Sequence, residues 1–340
     1  MSTFRWGIIG PGRIARKFAV GLAAVDGARL QVVASRDGER ARHFARQFDA
    51  TRWVEGYQAL VDADDVDAIY IANPHHAHAE ATRACLEAGK PVLCEKPLTV
   101  NAAQAEPLIE LARRRGVFLM EAMWSRFIPV WRQVHQWLRE GAIGAPRMLS
   151  SHFGAALPYL PEERWLDPAQ AGGVLLDMGV YNLAMSQWVL GADPESFEVA
   201  GLLAPTGVDA RVAGTLHYAD GACSQFSCNF QVDTDNDFRI AGAEGSIAIA
   251  APFWCSQEIS LRQGRHETRI SRPLRANGYE YEIEEVMRCV REGRGESESM
   301  PLADTLGTLR LMDAMRQRLG VRYPFESQDE AGSTAAADGR

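Results

Sequence analysis

The hexapeptide Gly10-Pro11-Gly12-Arg13-Ile14-Ala15 follows an apolar run, Phe4 to Ile9, and opens a stretch with apolar residues at helical spacing, Ile14 to Val25. Glycines so placed let the backbone turn tightly and approach a pyrophosphate, and the helix N-terminus that follows offers free N–H groups to the anion. The pattern alone is common; its place in a βαβ unit at the start of the chain makes it a dinucleotide loop. A second apolar run, Leu30 to Ala34, leads into Ser35-Arg36, where an NAD-binding chain usually carries an acid for the ribose 2′-hydroxyl. A hydroxyl and a guanidinium suit a 2′-phosphate instead, and the guanidinium can stack on adenine, so NADP is the expected cofactor. Asp37 comes next, and a shift of one residue restores an NAD reading.

Lys96 stands just past the apolar run Pro91 to Cys94, at the carboxyl edge of a strand, where parallel sheets bind ligands. Asp177 and Tyr181 lie four apart and share a face if the segment is helical, Asp177 serving otherwise as a helix cap. Oxidising a secondary alcohol requires an acceptor for the hydroxyl proton with a pKa near the working pH. Free tyrosine titrates near 10, and an ammonium beside the phenol lowers that value. Lysine as proton carrier, with tyrosine as orienter, fits equally well. Trp124, Phe153, Trp165 and Trp254 offer aromatic faces of the kind that stack on sugars or apolar rings. Arg126 leaves room for an acidic substrate. His75, His76 and His78 match no standard zinc spacing, and no cysteine or carboxylate cluster adjoins them, so no metal is expected.

The elements that must position these groups alternate at first. Strand-like and helical stretches succeed one another to Met120, with Asn101 capping a helix that runs to Arg115, and this alternation implies a doubly wound parallel sheet. From Ser196 to Ile270 short β-rich runs follow one another with turns such as Ala219-Asp220-Gly221, which implies an antiparallel sheet. Helices over Glu280–Glu292 and Ala303–Leu319 close the chain. The expected organisation is α/β: a dinucleotide-binding domain over 1–122, an α+β substrate and dimerisation domain with a large, mostly antiparallel open sheet over 123–326, and a disordered small-polar tail over 327–340. One face of the second sheet is expected to be apolar and uncovered, pointing to a homodimer.

Composition bounds the function. Hydrophobic residues are 46% and charged residues 24%, ordinary for a globular enzyme. A net charge of -8 speaks against nucleic acid as the partner, and the basic run Arg113-Arg114-Arg115 sits at a helix end, where it complements the dipole. No apolar run reaches about 18 residues, so no membrane span is read. The start of the chain lacks a signal-peptide pattern, and the six cysteines form no C-x-x-C pair, so free thiols in the cytoplasm are expected.

Three segments together resemble the glucose–fructose oxidoreductase / inositol dehydrogenase / MocA family: the glycine hexapeptide, Ala88-Gly89-Lys90-Pro91-Val92-Leu93-Cys94-Glu95-Lys96-Pro97, and Gly172-Gly173-Val174-Leu175-Leu176-Asp177-Met178-Gly179-Val180-Tyr181. Glu121-Ala122-Met123-Trp124-Ser125-Arg126-Phe127 and the tyrosine at 181, where many members carry histidine, bring it nearest to the branch of dimeric dihydrodiol dehydrogenases and NADP-dependent xylose dehydrogenases. The resemblance implies an oxidoreductase for a secondary alcohol of a sugar or cyclic trans-diol. It places Lys96 at the nicotinamide, Asn73, Pro74, His75, His78 and Glu95 along the cofactor, and Asp177 with Tyr181 on the substrate side. It also implies pairing through the second sheet and a cis peptide before Pro97. The other readings are a dinucleotide-binding sensor without chemistry, and an enzyme whose tightly held cofactor couples two sugar substrates.

Overall fold

The computed structural model describes residues 3–326; the tail expected to be disordered lies outside the described residues. Six strands, β1 (Phe4–Ile9), β2 (Ala28–Ser35), β3 (Arg52–Glu55), β4 (Ala68–Ile71), β5 (Val92–Glu95) and β6 (Leu119–Ala122), form a parallel sheet in the order β3-β2-β1-β4-β5-β6. Helices α1 (Arg13–Ala23), α2 (Gly38–Gln47), the short α3 (Gln58–Val61), α4 (His78–Glu87) and α5 (Ala102–Arg115) connect them. The inner strands read as unbroken apolar runs because helices cover both faces; all four residues of β4 are buried. Edge strand β3 has only Trp53 and Val54 to declare itself, and the sequence reading passes over it.

The chain leaves β1 toward β2 on one side and, later, β4 on the other, so a crevice opens at the carboxyl ends of these strands. Gly10 stands there with φ 86°, and a Cβ on it would lie 2.7 Å from the backbone nitrogen of Asn73. The loops after β1 and β4 therefore meet only if this residue is glycine.

After α6 (Pro129–Arg139) comes a second, eight-stranded sheet. It consists of β7 (Pro146–Gly154) and, beyond α7 (Val180–Leu190), β8 (Ser196–Leu203), β9 (Asp209–His217), β10 (Cys223–Asn229), β11 (Phe238–Gly242), β12 (Ser246–Ile249), β13 (Glu258–Gln263) and β14 (His266–Ser271). The order is β14-β13-β12-β11-β7-β10-β9-β8, and every pairing is antiparallel except β7 with β10. Strand β7, central yet polar and bounded by proline and glycine, is the one the sequence hides. Helices α8 (Tyr279–Arg291) and α9 (Leu302–Leu319) return to the first sheet, α8 packing on α1 and α9 on α5 and β6. No helix among the described residues is long and apolar enough to cross a membrane.

Two expectations fail here. The open face of the second sheet is mixed rather than apolar, with Met148 and Leu202 exposed on it among polar and small residues. One row across all eight strands runs Glu198, Thr215, Gln225, Ser150, Arg239, Ala248, Ser260, Arg269. The apolar alternates, such as Phe226, Phe238, Ile249 and Ile259, point inward instead. Arg126 is likewise no pocket residue. Its side chain is 0% exposed, and Nη1 is paired with Asp304 at 2.6 Å while Nη2 donates to the Ala184 carbonyl at 3.2 Å. A guanidinium taken fully out of water needs such partners, and α7 and α9 supply them.

The pair gives an asymmetric expectation. Asp304→Ala leaves a buried charge without its counter-ion and should cost about 3 kcal/mol in urea unfolding. Arg126→Met leaves Asp304, 35% exposed, to be hydrated, and should cost less. The reverse order would show that Arg126 is not the buried, dependent partner.

Candidate functional site

A cleft of about 610 Å³ follows the carboxyl edge of the first sheet. Gly10, Gly12, Arg13, Ile14, Ser35, Arg36, Asn73, Pro74, His75, His78, Glu95 and Lys96 all line it, and Asp177 reaches it from the second half of the chain. At one end α1 begins at Gly12 without a side-chain cap, so its first N–H groups are open to an anion. Arg13, Lys17, Arg36 and Arg40 gather there, and none has an ion-pair partner among the described residues. Asp37 is spoken for, because its carboxylate caps α2 by accepting from Arg40 N at 3.1 Å. Lys17, Arg40 and Tyr57 were not anticipated; Arg40 was findable, since it stands one helical turn after Arg36.

The other end is built where loops from both halves meet. His78 is fully buried with its ring nitrogens 2.9 Å from the Pro97 carbonyl and 2.8 Å from that of Asn73, tying the loop after β4 to the loop after β5. Burial lowers the His78 pKa to about 4, so the ring is neutral and its single N–H donates to one of these two carbonyls. The Lys96–Pro97 peptide is cis. Behind Lys96, Glu95 is buried and accepts from Tyr70 Oη; burial raises its carboxyl above the usual range. Two buried polar atoms in the cleft wall, Asn73 Oδ1 and His75 Nδ1, have no hydrogen-bond partner among the described residues. With the uncapped helix and the unpaired arginines, these fit a bound nicotinamide dinucleotide.

Asp177 lies in a π-helical turn, Leu175–Gly179, which runs into α7. Such turns re-aim side chains and recur at functional sites. The turn is anchored from β9, where Asp209 Oδ2 accepts from Leu175 N at 2.6 Å. Gly173, with φ 124°, leaves the space: a Cβ there would lie 2.4 Å from Asp209 Oδ1. The Asp177 backbone carbonyl accepts from Lys96 Nζ at 2.5 Å, and its Oδ1 lies 3.5 Å from the same Nζ. Arg164 Nη2 donates to that oxygen at 3.2 Å. Burial acts to raise the Asp177 carboxyl, but Lys96 and then Arg164 outweigh it and hold the group far below the ordinary carboxylate range. His75 is kept neutral by burial and by the neighbouring Arg164, whose Nη1 stands 3.4 Å from His75 Nε2.

Tyr181, the second residue of α7, accepts at Oη from Trp124 Nε1 at 2.8 Å. Lys96 Nζ lies over its ring, 4.9 Å from the centroid. The expected lowering of the phenol pKa does not occur: burial, reinforced by Glu95, pushes Tyr181 well above 10, because the ammonium faces the ring and is bound to Asp177. Trp124 stacks on Tyr279 at 4.7 Å, and Phe153, 5.8 Å from the Tyr181 ring, stacks on Trp254 at 3.6 Å. These aromatics form one wall behind Tyr181, and neither they nor Tyr181 are among the residues that line the cleft. Trp165 stands apart from that wall and contributes its carbonyl to Gly173 N at 2.9 Å.

Two family profiles match this chain: the GFO/IDH/MocA oxidoreductase family with an NAD-binding Rossmann fold over residues 4–123, and the GFO/IDH/MocA C-terminal domain over residues 131–248. The trans-1,2-dihydrobenzene-1,2-diol dehydrogenases of Homo sapiens and Mus musculus are 35% and 36% identical to it, each alignment covering 95% of this chain and 99% of the relative. Among solved structures, KijD10, a 3-ketoreductase from Actinomadura kijaniata in complex with NADP and TDP-benzene, superposes with a TM-score of 0.82 at 30% identity, over 93% of this chain and 98% of that one. An aldose-aldose oxidoreductase from Caulobacter crescentus shares the fold, with a TM-score of 0.84 at 24% identity over 93% and 97% of the two chains. With the uncapped dinucleotide loop, the Glu95-Lys96-Pro97 turn and the lysine–aspartate–tyrosine group on the page, these likenesses agree, and the chain belongs to the GFO/IDH/MocA family of oxidoreductases.

Proposed function

We propose that this oxidoreductase uses NADP(H) to interconvert a secondary alcohol and a ketone on a sugar or a cyclic trans-diol. The observation that carries the reading is that Lys96 and Asp177, with the Tyr181 ring against the Lys96 ammonium, stand at one end of a cleft whose other end holds Arg13, Arg36 and Arg40 without counter-ions among the described residues. Three unpaired cations suit a phosphate-bearing ribose, and Asp37, the acid that would favour NAD, is occupied as a helix cap. An enzyme named for a cyclic trans-diol and one named a 3-ketoreductase, similar over 95% and 93% of this chain, support the substrate class. Six cysteines without a disulfide fit a reducing compartment such as the cytoplasm. The eight-stranded sheet, whose open face mixes charged, small polar and apolar residues, is offered as the surface by which two copies pair; light scattering at micromolar concentration should give a dimer mass, and a monomer mass would refute it.

A bound nicotinamide supplies or accepts the hydride at this site. The chain's own part is the proton and the charge on oxygen. In reduction the substrate oxygen lies between the Lys96 ammonium, which stabilises its developing charge, and the Tyr181 hydroxyl. A phenol with a raised pKa is a competent donor to an alkoxide and a poor acceptor near neutrality. Lys96, fixed by the Asp177 carbonyl and carboxylate, keeps its ammonium aimed at the cleft. The aromatic wall of Trp124, Phe153 and Trp254 stands behind Tyr181.

The sign of the pH dependence follows. Oxidation needs a deprotonated acceptor, so its kcat should still be climbing with pH above pH 9, while reduction, whose phenol donor stays protonated there, should hold level. Tyr181→Phe and Lys96→Met should each lower kcat by about 10² or more, and Tyr181→Phe should also flatten the alkaline limb if the phenol is the acceptor. A Tyr181→Phe enzyme with near wild-type kcat in both directions would remove the phenol from the mechanism. Cofactor choice is tested separately: Arg36→Ala and Arg40→Ala should raise KM for NADP more than for NAD, and a wild-type preference for NAD would contradict the assignment. The function itself is tested by a panel of aldoses, keto-sugars and cyclic diols with both cofactors. Activity confined to carboxylated substrates would overturn it.

A further inference from the structure

Arg164 reaches the reactive end from outside regular secondary structure. It sits in the long connection between β7 and the π-helical turn, and that connection is folded back on itself. Gly173 N donates to the Trp165 carbonyl and Gly172 N to that of Asp167, each at 2.9 Å. A Cβ on Gly172 would lie 2.9 Å from the carbonyl oxygens of Arg164, Trp165 and Asp167. Only glycine lets the loop close here, and closure is what delivers Arg164 to Asp177, thirteen residues on.

The Arg164 side chain is 31% exposed and lines the cleft. A guanidinium has five N–H donors. Nη2 gives one to Asp177 Oδ1 and Nη1 faces His75 Nε2; Nε has no partner among the described residues. Asp177 is used in a complementary way. Lys96, Arg164 and His75 all approach Oδ1, at 3.5, 3.2 and 3.9 Å, and Oδ2 keeps its acceptor capacity with no partner among the described residues. A carboxylate oxygen and guanidinium N–H groups are thus presented side by side. That combination suits a hydroxyl, which donates to the first and accepts from the second. It lies beside Lys96 Nζ, which is 3.5 Å from Asp177 Oδ1, so a hydroxyl held there adjoins the oxygen that the ammonium faces.

We propose that Arg164 and Asp177 form the subsite for the hydroxyl adjacent to the reacting carbon, making Arg164 a specificity-determining residue. The enzyme selects vicinal diols and α-hydroxy ketones over isolated alcohols and ketones. This rests on the function proposed above and deepens it: Lys96 and Tyr181 handle the oxygen that changes, Arg164 and Asp177 the one that does not. A site built to hydrogen-bond a substrate hydroxyl discriminates against the analogue that lacks it.

The test compares kcat/KM for trans-cyclohexane-1,2-diol and cyclohexanol, which differ by the second hydroxyl alone, in the wild type, Arg164→Met and Arg164→Lys, with thermal melts reporting whether each variant is folded. The wild type should prefer the diol by at least tenfold. Arg164→Met should shrink that ratio by tenfold or more, and Arg164→Lys, which keeps a donor and the charge, should fall between. Should both substrates lose activity in parallel so that the ratio stands, Arg164 serves only to hold Asp177 and the subsite is overturned. A wild type that oxidises cyclohexanol as well as the diol overturns it without recourse to any variant. A wild type that turns over no diol or sugar with either cofactor overturns the function as well, an outcome recognisable by the wild type's silence rather than by a ratio.

Discussion

A carboxylate that is out of bulk water yet must stay charged needs cations within a few ångströms, and Asp177 draws its two from opposite directions. Lys96 comes from the end of β5 in the parallel sheet, and Arg164 from the connection leading out of β7 in the second sheet. Coulombic attraction in a partly desolvated site is worth far more than on the surface, and it is here spent on geometry. The ammonium is pinned by both the carboxylate and the backbone carbonyl of the same residue, so its direction is fixed before any substrate arrives. Preorganised charge of this kind stabilises an oxygen on which charge develops without reorganisation at the moment of reaction.

Much of the surrounding architecture can be understood as holding the two ends of that contact. On the first sheet, His78 ties the loops after β4 and β5 together, and Gly10 lets the loops after β1 and β4 touch. On the second, Asp209 grips the π-helical turn from below and Gly173 leaves it room. Helices α8 and α9 return across the boundary and pack on α1, α5 and β6, so the two sheets are clasped by the C-terminal part of the chain. The Arg126–Asp304 pair belongs to this clasp, since it joins the turn after β6 to α9.

What could be read from the sequence was what is local. The glycine loop, the strand-ending Lys96, the cap at Asn101 and the parallel alternation each depend on residues a few positions apart, and the structure has each in that form. What was missed or misjudged depends on closure over distance. Arg164 acquires meaning only when the loop folds over Gly172, and Asp209 only when β9 passes under a turn 34 residues earlier. Arg126 adjoins Trp124 in sequence, but the tight turn sends one side chain to the aromatic wall and the other to the interior. Proximity of Lys96 to Tyr181 was legible and direction was not: an ammonium over the ring face and bound to a carboxylate does little for the phenol oxygen, and burial wins. In the second sheet the apolar residues were visible, but a period of two does not say which alternate set faces outward until register is known.

The claim on which the account turns is that Lys96 and Asp177 work as one unit. A double-mutant cycle with Lys96→Met, Asp177→Asn and the double variant, read as single-turnover rate with saturating cofactor, measures that directly. If the unit is real, Asp177→Asn should slow the wild type strongly and the Lys96→Met enzyme hardly at all, giving a coupling of at least about tenfold, or ~1.4 kcal/mol. Additive losses would show that the carboxylate acts independently of the ammonium, and would contradict the account.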